Sequence, residues 1–255
     1  MSAILEARAL SKSFGAVVAA AGINVKVGER EIVGVIGANG AGKTTFINMV
    51  TGYLPPTSGT IRFRGDDITG LPPRQVVRAG VCRSFQVSQL FRDLSVLENM
   101  LIALGMLREG RLSWLAPLHT DERERQAGEA LARYRIEEHA AAQVATLPQG
   151  VRKLLDIAMA TVSTPALLLL DEPTSGVAVE EKFGLMDTVM APVLASGAAC
   201  LFVEHDMEIV ERYARRVIAF YEGRILADGP AQQVLADAEV RQYVIGSEIH
   251  RTREA

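Results

Sequence analysis

The chain has 255 residues, 49% of them apolar, and a formal net charge of −3. That length allows one α/β domain with a sizeable core and room for a smaller subdomain. The near-balanced charge gives no global basic footprint for nucleic acid, and no apolar run approaches the length of a membrane span. The first residues, Met1-Ser2-Ala3-Ile4-Leu5-Glu6, lack the basic start and apolar core of a signal peptide. Cys82 and Cys200 fall in expected strands and read as buried free thiols rather than a disulfide framework. A reducing cytosol is therefore expected, with any membrane role coming through a partner.

In chain order, Ile4 to Leu10 is the first expected strand. Ile32-Val33-Gly34-Val35-Ile36 is a short, β-branched apolar run, expected as a buried strand. It leads into Gly37 to Thr44, G-A-N-G-A-G-K-T, which fits the phosphate-binding pattern G-x-x-x-x-G-K-[ST]. The glycines let successive backbone N–H groups turn inward around a polyphosphate, where side chains would obstruct them. Gly37, Asn39, Gly40, Ala41 and Gly42 are thus candidate phosphate contacts, with Lys43, Thr44 and Thr45 beside them. Lys43 can reach the β- and γ-phosphates, and the Thr44 hydroxyl can ligate Mg²⁺. Thr44 to Val50 is expected as a helix stopped by Gly52, which sets the phosphates at a helix N-terminus.

Beyond the loop, Thr60 to Arg64 alternates Ile61 and Phe63 with arginines, as a strand with one wet face does. Val81 to Gln86 is a further expected strand. Ser95-Val96-Leu97-Glu98 is a capping box that opens a helix towards Leu107. Gly110 to His119 is expected as a loop. Thr120 can cap a second helix whose apolar stripe is Ala127, Ala130, Leu131 and Tyr134. The α/β pattern then resumes with a strand at Ala166 to Leu170, a helix at Val179 to Ala195 weakened by Gly184 and Pro192, and a strand at Ala199 to Val203. Val217 to Phe220 and Ile225 to Asp228 fit a hairpin around Glu222-Gly223, Pro230 can start a terminal helix, and His250 to Ala255 is expected to fray.

Leu167-Leu168-Leu169-Leu170-Asp171-Glu172 is an apolar strand ending in two acids. Phosphoryl transfer needs a carboxylate to hold Mg²⁺ near the phosphates, and Asp171 fits that role. Glu172 is then placed to orient and polarise an attacking water.

With these residues in view, the chain resembles the nucleotide-binding subunit of an ATP-binding cassette (ABC) transporter over nearly its whole length. Phe14, in Ser-Lys-Ser-Phe-Gly, matches the aromatic on which adenine stacks. Gln86 matches the glutamine that touches Mg²⁺ and water and senses the transmembrane partner. Leu147-Pro148-Gln149-Gly150-Val151 stands where the signature L-S-G-G-Q belongs, Ser175 to Ala178 matches the D-loop, and His205 matches the switch histidine on the γ-phosphate. The resemblance implies an α/β fold with a P-loop NTPase core, a mixed sheet with flanking helices, an N-terminal antiparallel β portion and an inserted helical subdomain. Residues 1–87 and 161–255 would form the core and 88–160 the helical subdomain with the signature. It implies ATP and Mg²⁺ as cofactors, with Glu172, His205 and Gln86 catalytic and Thr44, Gln86 and Asp171 around the metal. Leu147, Gln149 and Gly150 would contact ATP held by the opposite subunit.

Within that family the chain is similar to the ATP-binding subunits of branched-chain amino acid importers and their relatives for urea, amides and similar solutes. The residues that carry this likeness are Val33 to Gly37, the run Phe85-Gln86 to Leu90-Phe91, Leu94 to Asn99 and the charged insert after Leu107. The implied partners are permease subunits, a second cassette and, indirectly, a periplasmic solute-binding protein, with no nucleic acid. The implied place is the inner face of the membrane. Lipid or lipopolysaccharide transport, or a non-transport ABC ATPase, are the alternatives. Two departures from the family pattern stand out. Pro148 supplies neither hydroxyl nor N–H, with Gln149 in place of glycine and Val151 in place of a polar residue. Ala178 stands where Asp or Asn is common. A heterodimer with a cassette carrying an intact signature is therefore favoured, a homodimer being the alternative.

Overall fold

The computed structural model describes residues 3–84, 90–106 and 117–246. Ala3–Phe14 (β1) and Val17–Gly28 (β2) form an antiparallel hairpin with Phe14 opposite Val17. The sequence reading omits β2, because Val17 to Ala21 does not alternate; only Ile23, Val25 and Val27 do, and all three are buried. Ile32–Gly37 (β3) is buried throughout, as its β-branched run requires, and Lys43–Val50 (α1) follows the phosphate loop. Ser58–Phe63 (β4) pairs with β1 and with Asp66–Asp67 (β5), giving a four-stranded sheet in the order β2-β1-β4-β5. Ile61 and Phe63 face inward and Arg62 outward, as the alternation indicated.

Pro73–Ala79 (α2), another element absent from the sequence reading, leads through Gly80 into Val81–Ser84 (β6). The helical stretch contains Val96–Met106 (α3), Asp121–Arg133 (α4) and Gln149–Thr161 (α5). Leu167–Asp171 (β7), Val179–Ser196 (α6), Ala199–Val203 (β8), Met207–Tyr213 (α7), Arg216–Tyr221 (β9), Arg224–Pro230 (β10) and Ala231–Ala236 (α8) complete the described elements of four residues or more, apart from a short π-turn at Arg241–Ile245. The second sheet runs β10-β9-β3-β8-β7-β6. In it β3 is parallel to both β8 and β9, whereas β9 and β10 form the expected antiparallel hairpin. Its turn is Glu222-Gly223, with φ of 45° and 74°, as a type I′ turn requires. The last two residues of the expected strand at Val81 to Gln86, most of the loop at Gly110 to His119 and the tail from His250 lie outside the described residues.

The chain divides into two compact units. The first comprises Met1–Cys82, Ala166–Leu169 and Gly197–Ala255, and its core joins both sheets through residues such as Leu5, Val35, Phe46, Ile61, Leu169 and Phe220. The Phe46 and Phe220 rings lie 5.7 Å apart. The second comprises Arg83–Pro165 and Leu170–Ser196. There the stripe Ala127, Ala130, Leu131 and Tyr134 is buried, as the helical spacing indicated. Cys82 and Cys200 are both free and buried, and burial pushes the Cys200 thiol up to about 12.

The capping box at α3 is formed in full. Ser95 donates its N–H and its hydroxyl to Glu98 Oε2 at 2.7 Å each, and Glu98 N–H donates to Ser95 Oγ at 3.1 Å. Those hydrogen bonds hold the Glu98 carboxyl below its ordinary range. A depressed folded-state value contributes stability above the unfolded carboxylate range, and that stability is lost as pH falls through the folded value. Ser95→Ala is expected to cost about 1 kcal/mol by urea denaturation at neutral pH. The same substitution is expected to flatten the acid limb of the stability curve; a full cost that stays constant down to pH 3 would contradict this.

Candidate nucleotide site

The Gly37 to Thr44 loop connects the end of β3 to α1, in the first unit. Two of its glycines are fixed by neighbouring backbone. At Gly37 (φ 154°) a Cβ would lie 2.6 Å from the Phe220 carbonyl, and at Gly42 (φ 101°) 2.7 Å from the Ala19 carbonyl. The loop is held by a hydrogen bond from Gly223 N–H to the Ala41 carbonyl at 3.0 Å. Lys43 is buried, and its ammonium donates to the carbonyls of Gly37 and, at 3.2 Å, Ala38. Asn39, Gly40 and Thr44 are exposed and Thr45 is half-buried, so the loop presents backbone amides and a hydroxyl to solvent at the start of α1.

The remaining candidates in this unit are Phe14 and His205. Phe14 is 52% exposed near the β1–β2 turn, with the Lys12 ammonium 5.2 Å from its ring centroid. An aromatic so placed is no core residue; it offers a face for stacking. His205 follows β8, half-buried, and its N–H donates to Glu204 Oε2 at 3.2 Å. Glu204 extends the line of β8 by donating to the Val35 carbonyl at 3.3 Å, and Asp206 caps α7 through the Glu208 N–H.

The second unit carries the acids and the signature segment. Asp171 ends β7, buried, and Glu172 follows with φ 50°, a left-handed conformation that costs of order 1–3 kcal/mol for a non-glycine residue. Lys153, only 2% exposed on α5, donates to the Glu172 carbonyl at 3.3 Å. The α5 helix begins at Gln149, inside the signature segment. Pro148 stands at its N-cap and makes no side-chain cap. Leu147 is buried, Gln149 is exposed and Gly150 half-buried, and the Gln149 side chain packs against Gly176. The predicted residues thus fall into two sets, the phosphate loop with Phe14 and His205, and Asp171-Glu172 with Leu147, Gln149 and Gly150. Gln86 lies outside the described residues.

Two residues escaped the sequence reading. Arg83, on β6, donates from Nη2 to Asp171 Oδ2 at 2.5 Å. Its signal was the one charge in the strand Val81-Cys82-Arg83-Ser84. Lys153 gave a similar signal as a charge on the buried face of α5.

The residues present fit a Mg²⁺–nucleoside triphosphate. The cradle is one that side chains would fill, and each unit supplies a hard oxygen donor, the Thr44 hydroxyl in the first and the Asp171 carboxylate in the second. Among the described residues no cluster of three or more His, Cys, Asp or Glu could hold a metal. A cation would thus depend on phosphate oxygens for part of its shell, as Mg²⁺ in such sites does.

Comparison with known proteins agrees. The chain matches the family described as ABC transporter over residues 20–175. It is 35% identical to the high-affinity branched-chain amino acid transport ATP-binding protein BraF of Pseudomonas aeruginosa, over 95% of this chain and 98% of that one. It is 36% identical, with the same coverage, to LivG of Escherichia coli, which bears the same description. Among solved structures it is similar to the ADP conformation of MJ1267, an ATP-binding cassette of an ABC transporter. That match has a TM-score of 0.86 and 29% identity, and covers 95% of this chain and 98% of that one. Gly42→Ala is expected to abolish saturable ATP binding and to cost about 1–3 kcal/mol in stability. Equilibrium titration with a fluorescent ATP analogue, alongside thermal denaturation, checks both; wild-type affinity would contradict the geometry.

Proposed function

Because the chain belongs to the ABC transporter family, we propose that it is the ATP-binding and ATP-hydrolysing subunit of a membrane importer for branched-chain amino acids or a related small polar solute. The observation that carries this reading is the nearly end-to-end likeness to BraF and LivG. A phosphate loop alone would leave the reaction open. The end-to-end match favours the importer over the lipid-transport and non-transport alternatives.

Each candidate residue then has a role. Phe14 stacks on adenine, and the amides of Gly37, Asn39, Gly40, Ala41 and Gly42 hold the phosphates with Lys43 and Thr45. Thr44, Asp171 and Gln86 would hold Mg²⁺, which would neutralise charge on the phosphates. Glu172 orients and polarises the attacking water, and His205 contacts the γ-phosphate. Lys43 must exchange its bonds to the Gly37 and Ala38 carbonyls for phosphate oxygens, so it is held ready without being left as a bare buried charge. ATP favours the closed dimer because it touches both subunits, and hydrolysis removes that bridge.

The partners are permease subunits, through which the chain sits at the inner face of the membrane. No helix among the described residues is long and apolar enough to cross one itself. A periplasmic binding protein supplies the solute. Residues 88–160 act as the helical subdomain bearing the signature, and 1–87 with 161–255 as the core. The second cassette is a different chain. Pro148 removes one N–H and the hydroxyl from the N-terminus of α5, so Gln149 and Gly150 are left to meet the partner's ATP. Glu172→Gln is expected to lower ATP turnover of the assembled transporter at least 100-fold with ATP affinity within about twofold of wild type. Retained transport-coupled hydrolysis would overturn the role of Glu172. A homodimer of this chain that turns over ATP as fast as the full complex would overturn the unequal pairing.

A further inference from the structure

We propose that Arg83 is a positioning residue that takes one oxygen of Asp171 and thereby makes the cation site select Mg²⁺ over Ca²⁺. The proposal rests on the nucleotide-hydrolysing function assigned above. The ion pair is direct, with Arg83 Nη2 2.5 Å from Asp171 Oδ2. Both side chains are nearly out of water, 7% and 6% exposed. β6 and β7 are neighbours in the sheet order, so two adjacent strands set the pair. A guanidinium cannot leave by losing a proton, and its charge-assisted bond to a carboxylate is strong where solvent is scarce. Breaking it to free the second oxygen would strand a buried charge.

The ion pair places Arg83 Nη2 on Asp171 Oδ2, and on this proposal Oδ1 is the oxygen that serves the cation or one of its waters. That distinguishes two ions with different demands. Mg²⁺ keeps a compact octahedral shell at about 2.0–2.1 Å and needs one oxygen from a given carboxylate. Ca²⁺ takes about 6–8 oxygens at 2.3–2.6 Å and gains much of its shell from carboxylates that bind through both oxygens. With Oδ2 committed to Arg83, Asp171 cannot close that two-oxygen grip. The positive charge beside Asp171 also weakens any cation arriving without a nucleotide. This fits the lack of a carboxylate cluster among the described residues.

The test titrates Mg²⁺ and Ca²⁺ separately against the full-length chain with a fluorescent ATP analogue, using EDTA as the metal-free reference. The wild type is expected to reach half-saturation at a Mg²⁺ concentration at least tenfold below that for Ca²⁺. Arg83→Gln is expected to shrink this ratio at least fivefold, mainly by improving Ca²⁺, with analogue binding in EDTA unchanged. Arg83→Lys keeps the charge but has a shorter, non-planar head, and is expected to fall between. A purely structural role would weaken both cations together and leave the ratio at its wild-type value, which would overturn the proposal. Should Arg83→Gln fail to fold, Arg83→Lys decides: a ratio lowered at least twofold supports the proposal and an unchanged one overturns it. A wild-type chain that binds no analogue under any condition would overturn the nucleotide function itself, and this inference with it.

Discussion

Three stretches of backbone converge on the phosphate loop with no space for a methyl group between them. The Ala19 carbonyl of β2 approaches Gly42, the Phe220 carbonyl of β9 approaches Gly37, and Gly223 in the β9–β10 turn donates to Ala41. Gly223 also accepts from Ala21 N–H at 2.8 Å, so the turn bridges β2 and the loop. The loop's shape is thus imposed from outside by strands whose own positions are fixed by the sheets. Its amides are arranged before any anion arrives, and little ordering entropy remains to be lost on binding. The β1–β2 hairpin that presses on Gly42 also carries Phe14 at its turn. One packing constraint therefore links the phosphate cradle to the exposed aromatic face.

The second unit shows a different kind of coupling. Glu172 is held in a left-handed backbone conformation, and the Lys153 ammonium on α5 meets its carbonyl. Gln149, at the start of the same helix, packs against Gly176 just beyond Glu172. The helix that begins at the altered signature is therefore bonded, within one chain, to the peptide of the proposed water-polarising acid. Arg83 adds a tie to the preceding residue, Asp171. Substitutions at Pro148, Gln149 and Val151 thus bear on this chain's own acids as well as on any ATP held opposite.

Much of this was legible in the sequence because local chemistry dictated it. Gly37 to Thr44, the capping box at Ser95, the Thr120 cap and the Glu222-Gly223 turn each rely on residue types with few other uses, and each forms as expected. β2 was hidden because its first half is a run of small residues whose pairing is decided by β1, a long-range partner. α2 and α7 are seven residues each, too short for a periodic signal. Arg83 and Lys153 were missed for a related reason. A single charge in a strand or helix says nothing of its partner until the fold places Asp171 or the Glu172 carbonyl beside it.

The central claim is that the constrained loop is a nucleotide cradle that uses Lys43. Calorimetric titration of Mg·ATP into the purified full-length chain tests it most directly. The account predicts one ATP per chain, and loss of measurable binding in Lys43→Ala with the thermal unfolding midpoint retained. Undiminished ATP binding in that variant, or no binding by the wild-type chain, would contradict it.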